Sequence, residues 1–568
     1  MTRISRGMSA FPGSSLDYQT GSWANQIPVH SHQVAPCRGS CPAGEDPQAY
    51  IAHVQEGRIR LAFETLAAVN PFPAIMGRVC PHPCEGGCNR GQLDEPVAIH
   101  SIERYLGDEA IVNGWALPMP TVERPEAVAV VGAGPAGLAA AYHLRRRGYR
   151  VTLYDQNVEA GGMLRYAIPT YRLPRDILDA EVNRVLGTGI TFVPHRRLGR
   201  DIYIDDLCKE FAAVFLGPGC QKSRDWTVAG ADTVDSPTGL DLLLEWLNVG
   251  TLAVRGKRIV VHGGGNTAID VARVLKWSGA ADVHVVAASA QPGTPNVPPA
   301  DVMAAFPREV AQAREEGVTF HPGHTLSRLI VRDGHISAAE ITAVGKVVGG
   351  DHRVHRVAFE GTENVIGADL VIPAIGEVVD PAGLEFIVRA NGLIPAGRDG
   401  AVEGQPGVFA GGDALGARGT VTAAIGDGRR AAEAIDRYLR GEPALVAADP
   451  VTIGFDRLNL SYFGPASRRE NPVLPIAARS AEVEVEGGLP IAELRGEASR
   501  CLSCGNCLSC DNCWTFCPDS AVLKTPEPTA DGSRYVFDYE YCKGCGLCAQ
   551  ECPTGYIQMA EEPAAVAG

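Results

Sequence analysis

The chain has 568 residues, of which 45% are hydrophobic and 21% are charged, and its net charge is -15. This length indicates about four domains at roughly 150 residues each. The acidic balance, without a long basic run, argues against nucleic-acid binding. Because the sequence holds no apolar run of membrane-spanning length and no signal-peptide core, we expect a soluble cytoplasmic protein without membrane contact.

Composition and hydrophobic period predict an α/β protein with a cysteine-rich unit at each end. Strand, glycine turn and helix alternate through the middle of the chain, which predicts two nested doubly wound dinucleotide-binding domains. The predicted segments are an N-terminal arm at 1–36, a helical domain at 37–122, a first dinucleotide-binding domain in two parts at 123–245 and 363–440, a second one inserted at 246–362, a linker at 441–500 and a C-terminal module at 501–560.

The predicted helical domain combines short helices with clustered cysteines. Apolar residues recur at helical spacing from Pro47, and Cys80, Cys84 and Cys88 follow in a loop rich in proline and glycine. The chain has 17 cysteines, many of them in C-x2-C groups. In a long chain without an export signal, this pattern favours metal ligation over disulfides.

The first dinucleotide site begins where a predicted strand at 127–131 meets a glycine turn. The glycines of a G-x-G-x-x-G pattern allow a tight turn, backbone approach to a pyrophosphate and close helix packing. The next strand ends on an acid near the spacing expected for a carboxylate that binds a ribose hydroxyl. The alternative is an ordinary glycine turn that binds no nucleotide. The predicted contacts are Gly132, Gly134, Pro135, Ala136, Gly137 and Asp155.

A second strand and glycine turn recur after residue 258, which predicts a second dinucleotide. The strand that follows ends in Ala287-Ala288-Ser289, which offers neither an acid for a ribose hydroxyl nor an arginine for a 2′-phosphate. We expect NAD here because no cationic clamp is visible, and NADP stays open. The predicted contacts are Gly263, Gly265, Asn266, Thr267 and Ala268.

A third segment, at 407–413, resembles the second FAD signature of flavoproteins with two dinucleotide domains. In that signature an aspartate, here Asp413, binds the ribityl chain; a turn or helix cap is the alternative role. The helix that follows would direct its positive end toward the flavin. We therefore expect FAD in the first site and a nicotinamide nucleotide in the second, with FAD contacts at Gly412, Asp413, Val421 and Thr422.

Two copies of C-x2-C-x2-C-x3-C-P lie near the end of the chain. In ferredoxins with this spacing, three close cysteines of one copy and the distant fourth cysteine of the other hold one [4Fe-4S] cluster. A zinc ribbon, built from C-x2-C pairs, is the alternative. The predicted ligand sets are Cys507, Cys510, Cys513 and Cys552 for one cluster, and Cys517, Cys542, Cys545 and Cys548 for the other.

Several motifs between Cys37 and Leu439 resemble the flavin-carrying small subunit of bacterial glutamate synthase and its relatives. Those relatives include the large subunit of NADH-dependent ferredoxin:NADP oxidoreductase and the N-terminal part of dihydropyrimidine dehydrogenase. The shared motifs include Asn70-Pro71-Phe72-Pro73, Gly161-Gly162-Met163-Leu164 and Arg172-Leu173-Pro174. The resemblance implies the same cofactors, with further contacts to them at Gly162, Leu164, Arg172 and Gly376.

The resemblance also implies two [4Fe-4S] clusters in the helical domain. A carboxylate is among the implied ligands of the first cluster, and an ordinary solvated helix residue is the alternative interpretation of that glutamate. The implied set is Cys41, Cys80, Cys84 and Glu103.

The second cluster of the helical domain lacks half of its ligands. Where the relatives carry a C-x2-C pair, this chain has Val29 and His32, so only Cys37 and Cys88 are left. Two thiolates alone do not hold a four-iron cube securely.

Two cysteines outside both ferredoxin copies could replace the missing pair. We hypothesise that Cys501 and Cys504 fold back, within the chain or across a dimer, and complete a cluster with Cys37 and Cys88. The alternatives are that His30 or His32 ligates, or that this cluster is absent. Three or four clusters are therefore expected, and only Cys208 and Cys220 have no predicted ligand role.

Together these features predict an oxidoreductase that exchanges hydride between NAD(P)(H) and FAD and transfers single electrons through [4Fe-4S] clusters. No catalytic side chain is predicted, because flavin N5 supplies the chemistry. We expect a subunit of a hetero-oligomer that serves ferredoxin or an iron–sulfur catalytic partner, such as a 2-oxoacid:ferredoxin oxidoreductase. The alternatives are a stand-alone or bifurcating NAD(P)H:ferredoxin oxidoreductase, a glutamate synthase small subunit, or a scaffold subunit with degenerate flavin chemistry.

Overall fold

The structure, a computed structural model, describes residues 5–6, 19–31, 33–348, 354–416, 419–444 and 450–561. Two dinucleotide-binding domains form the centre, with a helical domain before them and a cysteine-rich module behind. The predicted fold class is thereby confirmed. His32, one of the alternative ligands, lies outside the described residues.

The first dinucleotide-binding domain is built on a five-stranded parallel sheet. Its central strand is almost fully buried, as expected for an apolar run with helices on both faces. Helices Pro135–Arg146 and Val421–Leu439 pack so closely that a Cβ at Gly428 would lie 2.2 Å from Ala136 O. The strands follow the order Val408–Ala410, Ala213–Leu216, Ala127–Val131, Arg150–Tyr154 and Thr191–Val193, and the other helices are Met163–Tyr166, Arg175–Leu186 and Ile204–Glu210.

The second dinucleotide-binding domain has a four-stranded parallel sheet beside an antiparallel one. The parallel strands are Thr319–Pro322, Asp282–Ala287, Arg258–His262 and Leu370–Pro373, and the antiparallel strands are His324–Arg332, His335–Val348, Val354–Ala358 and Asn364–Gly367. The helices are Gly239–Val249, Asn266–Trp277 and Pro307–Glu315. A two-stranded pairing of Lys222–Ser223 with Glu377–Val378 joins the two domains.

The boundary that we predicted at residue 363 is too early. Strand Asn364–Gly367 pairs with His335–Val348, and strand Leu370–Pro373 pairs with Arg258–His262, so both belong to the inserted domain. The composition did not show this because both domains alternate strands and helices in the same way. The chain returns to the first domain only after residue 373.

The helical domain consists of short helices that pack on the first dinucleotide-binding domain. Glu181, fully buried on helix Arg175–Leu186, accepts hydrogen bonds from the backbone amides of Ala74 (3.0 Å) and Ile75 (2.9 Å). These amides lie at the N-terminus of a helix, where backbone donors lack partners within the helix. The helices are Pro36–Ser40, Pro47–Gln55, Ile59–Ala67, Pro73–Val79, Pro83–Gly86 and Ile99–Val112.

The C-terminal module is small and has two short sheets. Strands Val522–Lys524 and Tyr535–Phe537 form a hairpin, to which Ser5–Arg6 adds a third strand. Gln26–His30 pairs with the last strand, Ile557–Glu561. The helices of the module are Asn512–Thr515 and Leu547–Gln550. The predicted N-terminal arm therefore includes two strands of this module.

The segment predicted as a linker has defined contacts. Arg479 forms ion pairs with Glu315 and Glu316 of the second dinucleotide-binding domain. Helix Ile491–Ala498 buries Leu494 and Ala498 against the helical domain. The segment thus contacts both the second dinucleotide-binding domain and the helical domain, and it places residue 501 beside the N-terminal helices. Across the described part of the chain, we find no helix with the length and apolarity required to traverse a bilayer.

Candidate functional site

One large cleft lies where the parallel strands of the first sheet end, and the N-terminus of helix Asn266–Trp277 of the second domain faces it. Its lining includes residues that follow directly on four strands of the first sheet, such as Gly132, Asp155, Gly217 and Gly411. This edge is where doubly wound folds bind nucleotides. Predicted contacts from both dinucleotide sites line it together: Gly132, Gly134, Pro135, Ala136, Asp155, Gly162, Leu164, Arg172, Asn266, Thr267, Gly412, Asp413 and Val421.

The glycines of the first site fulfil the steric roles that the pattern predicts. Gly132 has φ 95°, and a Cβ there would lie 2.2 Å from Gly217 O. A Cβ at Gly137 would lie 1.8 Å from Gly132 O, so this glycine permits the contact between helix and turn. Gly134 and Gly162 face each other across the turn, where a Cβ on Gly162 would come 2.6 Å from Gly134 Cα.

Asp413 is half-buried, and its carboxylate fits the predicted ribityl contact. Among the described residues, its Oδ1 atom is buried without a hydrogen-bond partner. Burial raises the pKa of Asp413 to about 6, and the neighbouring carboxylates Glu377 and Asp427 add to the rise. A buried acceptor without a partner is costly, so hydroxyl donors of a bound sugar chain would satisfy it.

Unlike Asp413 Oδ1, both carboxylate oxygens of Asp155 accept hydrogen bonds from the protein. Its Oδ2 accepts a hydrogen bond from Ala133 N (2.7 Å), and its Oδ1 accepts one from Asn157 N (2.8 Å). Burial raises the pKa of this carboxyl, while these amides oppose the rise. The side chain fixes the glycine turn and still lines the cleft, so its predicted contact with a ribose stays open.

Other predicted contacts are not part of the cleft lining. Ala268 and Thr422 are buried. A Cβ at Gly263 would lie 2.1 Å from Ala374 O, so this glycine is required for the tight turn after the strand. Gly265 is different, since a Cβ there would meet no atom of the described residues within 4 Å. Its backbone is therefore free for approach by a phosphate. The predicted contacts outside the lining are Gly137, Gly263, Gly265, Ala268, Gly376 and Thr422.

A buried ionic network in the wall of the cleft joins the two dinucleotide-binding domains. Arg172 Nη1 donates to Asp270 Oδ2 (2.7 Å), and its Nε lies 3.3 Å from Glu309 Oε1. Glu309 also accepts from the fully buried Arg273 (2.6 Å). We predicted only Arg172, as a cofactor contact; the network could not be inferred because its acids lie about a hundred residues or more along the chain.

The first implied iron–sulfur set comes together beside the cleft. Val79 lines the cleft and Cys80 follows it directly. Burial raises the pKa of the Cys84 thiol, and the neighbouring Glu85 adds most to that rise, followed by Cys80, Cys41 and Glu103. Glu103 itself is buried, not solvated. Apart from Glu85, these are the four groups that the resemblance implies.

Glu45 was not predicted and lies against the same set. Asn70 Nδ2 donates to Glu45 Oε1 (2.9 Å) and to Glu103 Oε1 (3.0 Å), so one amide holds two buried carboxyl groups together. Burial raises the pKa of Glu103, and the Glu45 carboxylate adds to the rise. The proximity of Glu45 to Cys41, four residues away, was the available indication in the sequence.

The C-terminal module contains two small cavities with cysteine linings. One is bordered by Cys507, Cys510, Cys513 and Cys552, and the other by Cys517, Cys542, Cys545 and Cys548. Each group is one predicted ligand set, including the fourth cysteine that crosses over. The thiols that face each other fit four-iron clusters; the assignment of ligands stays a prediction.

Cys501 and Cys504 lie next to Cys37 and Cys88 in the same chain. Burial raises the pKa of the Cys37 thiol well above its usual range, and the thiols of Cys501, Cys88 and Cys504 add to the rise. His30 lies elsewhere, with Nδ1 at 2.6 Å from Asp531 Oδ2 and its ring stacked on Tyr556 in the C-terminal module. Of the cysteines without a predicted role, Cys208 is exposed on a helix and Cys220 lines the cleft.

Two nucleotide-binding domains that face one cleft, together with grouped thiols in the helical domain and in the C-terminal module, define a flavin-dependent oxidoreductase with iron–sulfur centres. The chain belongs to the pyridine nucleotide-disulphide oxidoreductase family, whose model matches residues 126–428. Residues 31–115 match the 4Fe-4S domain II of dihydropyrimidine dehydrogenase, and residues 506–556 match a 4Fe-4S dicluster domain. The cofactors are accordingly FAD, NAD(P) and [4Fe-4S] clusters, and the predicted resemblance is confirmed.

Three curated relatives are similar over most of their length. The chain is 34% identical to the NADP(+)-dependent formate dehydrogenase subunit beta of Moorella thermoacetica, with 83% of this chain and 70% of the relative covered. It is 33% identical to the NADPH-Fe(3+) oxidoreductase subunit beta of Geobacter sulfurreducens, covering 83% and 75%. It is 34% identical to the glutamate synthase [NADPH] small chain of Azospirillum brasilense, covering 73% and 89%.

Proposed function

We propose that this chain is the nicotinamide-linked electron-transfer subunit of a larger enzyme. It exchanges hydride between NAD(P)(H) and FAD and carries single electrons to or from ferredoxin or an iron–sulfur partner subunit, such as a 2-oxoacid:ferredoxin oxidoreductase. The observation that supports this most directly is the series of thiol groups between the cleft and the surface, in which Cys84, Cys37, Cys88 and Cys501 pack around one apolar core and Cys37 and Cys504 around the next. It begins at Cys80, beside the cleft, and ends at the exposed Cys510 and Cys545.

The cofactors supply the redox chemistry, since nicotinamide transfers two electrons as hydride and flavin can release them singly. The protein binds and orients them. The backbone around Gly132 and Gly134 would hold the FAD pyrophosphate, and Asp413 would accept hydrogen bonds from the ribityl chain. Asn266 and Thr267 open the N-terminus of helix Asn266–Trp277 toward the same cleft, where they would hold the second nucleotide.

The surface of the C-terminal module supports a protein partner as electron acceptor or donor. Three large apolar side chains of the module, each within three residues of a cluster cysteine in the sequence, are open to solvent: Leu508 by 45%, Phe516 by 47% and Tyr539 by 46%. Exposed apolar groups near a redox centre are typical of a surface that another protein covers.

The relatives favour this role over that of a glutamate synthase small subunit. The alignments with the formate dehydrogenase and NADPH-Fe(3+) oxidoreductase subunits extend over 514 and 518 residues, against 445 for the glutamate synthase small chain. The relatives named for a nicotinamide specify NADP(+) or NADPH, whereas residues 287–289 lack a cationic clamp. We keep NAD as our proposal for this chain.

Anaerobic titration with NADH and NADPH, joined to flavin and iron quantitation, tests the proposal. We expect one FAD, preferential reduction by NADH and slow reduction of added ferredoxin by the isolated chain. Rapid ferredoxin reduction without a partner would favour the stand-alone oxidoreductase. Absence of flavin reduction by both nucleotides would contradict both functions and favour a scaffold subunit.

A further inference from the structure

Four cysteines from three distant segments converge between the helical domain and the C-terminal module. Cys37, Cys88 and Cys501 pack around the apolar core of the helical domain, and Cys37 and Cys504 pack around a second core that includes Leu502. The side chain of Asn89, next to Cys88, donates to Cys504 Sγ (3.5 Å). The four thiols therefore surround one buried place, whose ligands would span 468 positions of the sequence, from residue 37 to residue 504.

The turn that presents Cys501 and Cys504 has the form of a ligand turn. Cys501-Leu502-Ser503-Cys504 repeats the tetrapeptide Cys507-Leu508-Ser509-Cys510, which belongs to the dicluster domain. The serine of each copy has a left-handed backbone, with φ 49° at Ser503 and 52° at Ser509. A non-glycine residue rarely adopts this conformation, so its recurrence in both copies indicates a common use.

The same turn directs a backbone donor at sulfur. Ser503 N donates to Cys501 Sγ (3.4 Å), and His82 N, also left-handed with φ 50°, donates to Cys80 Sγ (3.3 Å). Hydrogen bonds of this kind stabilise the charged form of a thiolate that ligates iron. Cys501 thus resembles Cys80, a predicted ligand, and differs from Cys208, which is exposed on a helix.

The chain around the turn is fixed by both ends of the protein. Gly505 N donates to Thr554 O (2.7 Å), and a Cβ at Gly505 would lie 2.7 Å from Gln33 O. Gln55 Nε2 donates to Ala498 O (2.7 Å) from the helical domain. The match to the dicluster domain covers residues 506–556, so this turn precedes the matched domain.

We propose that Cys37, Cys88, Cys501 and Cys504 ligate a [4Fe-4S] cluster that links the helical domain to the C-terminal module within one chain. The inference deepens the proposed function and rests on it, because this cluster would transfer electrons from the centre beside the cleft to the first cluster of the module. Only two residues separate Cys504 from Cys507, so the two centres would be neighbours.

The test uses the full chain with two pairwise substitutions from opposite ends, Cys37→Ser/Cys88→Ser and Cys501→Ser/Cys504→Ser. Each pair should lower the iron content by about four, from about sixteen, since a cluster holds four irons. The quadruple variant should lose no more than either pair, because all four residues serve one cluster. Cys208→Ser is the matched control and should leave the iron content unchanged.

Low-temperature EPR of the dithionite-reduced variants supplies a second readout, and each pair should remove the same single component. An unchanged iron content would overturn the proposal, as would zinc bound in stoichiometric amount by the parent chain. Additive iron losses in the quadruple variant would also overturn it, since they would indicate two damaged folds. Reduction of FAD by NAD(P)H is measured in parallel. If NAD(P)H does not reduce FAD in the parent chain, the proposed function is rejected. The iron content of the variants tests only the cluster.

Discussion

The two iron–sulfur regions of this protein differ in how their sites are assembled. In the C-terminal module, the eight ligands predicted for the two ferredoxin clusters lie within 46 residues, from Cys507 to Cys552, and two of them, Cys510 and Cys545, are exposed. In the N-terminal region the ligands come from separate segments, and one of them, Glu103, is buried beside the buried Asn70.

This difference indicates different roles in electron transfer. Exposed ligands beside apolar surface suit exchange with a partner, because electron transfer requires close approach of the two centres. Ligands buried next to a nucleotide cleft suit transfer inside the protein, where water is excluded and the surroundings set the potential. We therefore assign the C-terminal module to the outside of the electron path and the N-terminal region to its interior.

The largest expected effect comes from removing ligands at either end of this path. Cys510→Ser/Cys545→Ser should remove about eight irons and reduce electron transfer to an external acceptor to background, while NAD(P)H still reduces FAD and the N-terminal clusters. Cys80→Ser/Cys84→Ser should block the same acceptor, yet leave only FAD reducible by NAD(P)H. Stopped-flow absorbance of both variants measures this. Reduction of the C-terminal clusters by NAD(P)H in the Cys80→Ser/Cys84→Ser variant would contradict the order of the path.

The sequence predicts the C-terminal module much more completely than the N-terminal region. The ferredoxin spacing is local, so Cys507 to Cys552 could be assigned to two groups, and the structure places each group around one cavity. Glu45 was missed because a single acid on a loop has no pattern. The ionic network of Arg172, Asp270 and Glu309 was missed because only the packing of two domains brings these residues together.

The domain pattern shows the same limit. Strand, glycine turn and helix predicted both nucleotide-binding domains, since period and turn chemistry are local properties. The end of the inserted domain was misplaced because Leu370–Pro373 could pair with either parallel sheet, and the partner is decided by the chain path. The N-terminal strand Gln26–His30 could not be predicted because its partner, Ile557–Glu561, lies at the opposite end of the chain.

A second prediction concerns the accessibility of the two regions. Because the C-terminal sets include exposed cysteines, oxidation by ferricyanide in the presence of an iron chelator should release iron in two phases. We expect about half of the iron, eight of about sixteen, in the fast phase. Loss of FAD-coupled electron transfer to an external acceptor should follow the fast phase. A single phase would show that the two regions are equally accessible and would remove the basis of the comparison.

A smaller effect should follow from loosening the attachment of the N-terminal region to the flavin-binding domain. Glu181→Ala removes the acceptor of two buried amides, Ala74 N and Ile75 N, at a cost of about 1–3 kcal/mol for each unsatisfied group. Amide hydrogen exchange of helix Pro73–Val79 should accelerate by at least about tenfold, because 1.4 kcal/mol corresponds to a factor of ten.

The matched control for this change is Glu181→Gln, which keeps one acceptor oxygen and nearly the same volume. It should show an intermediate rate in the same peptide. Peptides of the C-terminal module should exchange equally in all three proteins, since they do not contact Glu181. If exchange in the module accelerated as much as in helix Pro73–Val79, the two regions would unfold together. They would then not differ in local stability.

The smallest expected effect is a pH dependence confined to the same attachment. Burial raises the pKa of Glu181 to about 7, while Arg184 and the amides of Ile75 and Ala74 oppose the rise. The unfolded value is about 4.3, so between these values the native state binds more protons than the opened state. The contribution of this group to stability is therefore fully present below about pH 4 and is lost as the pH rises through about 7.

Hydrogen exchange at pH 5 and pH 8 detects this dependence when the parent chain is compared with Glu181→Gln. The intrinsic effect of pH on exchange cancels in the ratio of the two proteins. Glutamine does not titrate in this range, so the protection of helix Pro73–Val79 in the parent, relative to the glutamine variant, should be lower at pH 8 than at pH 5. An unchanged ratio would mean that Glu181 keeps one protonation state across this range, and the attachment of the N-terminal region would then be independent of pH.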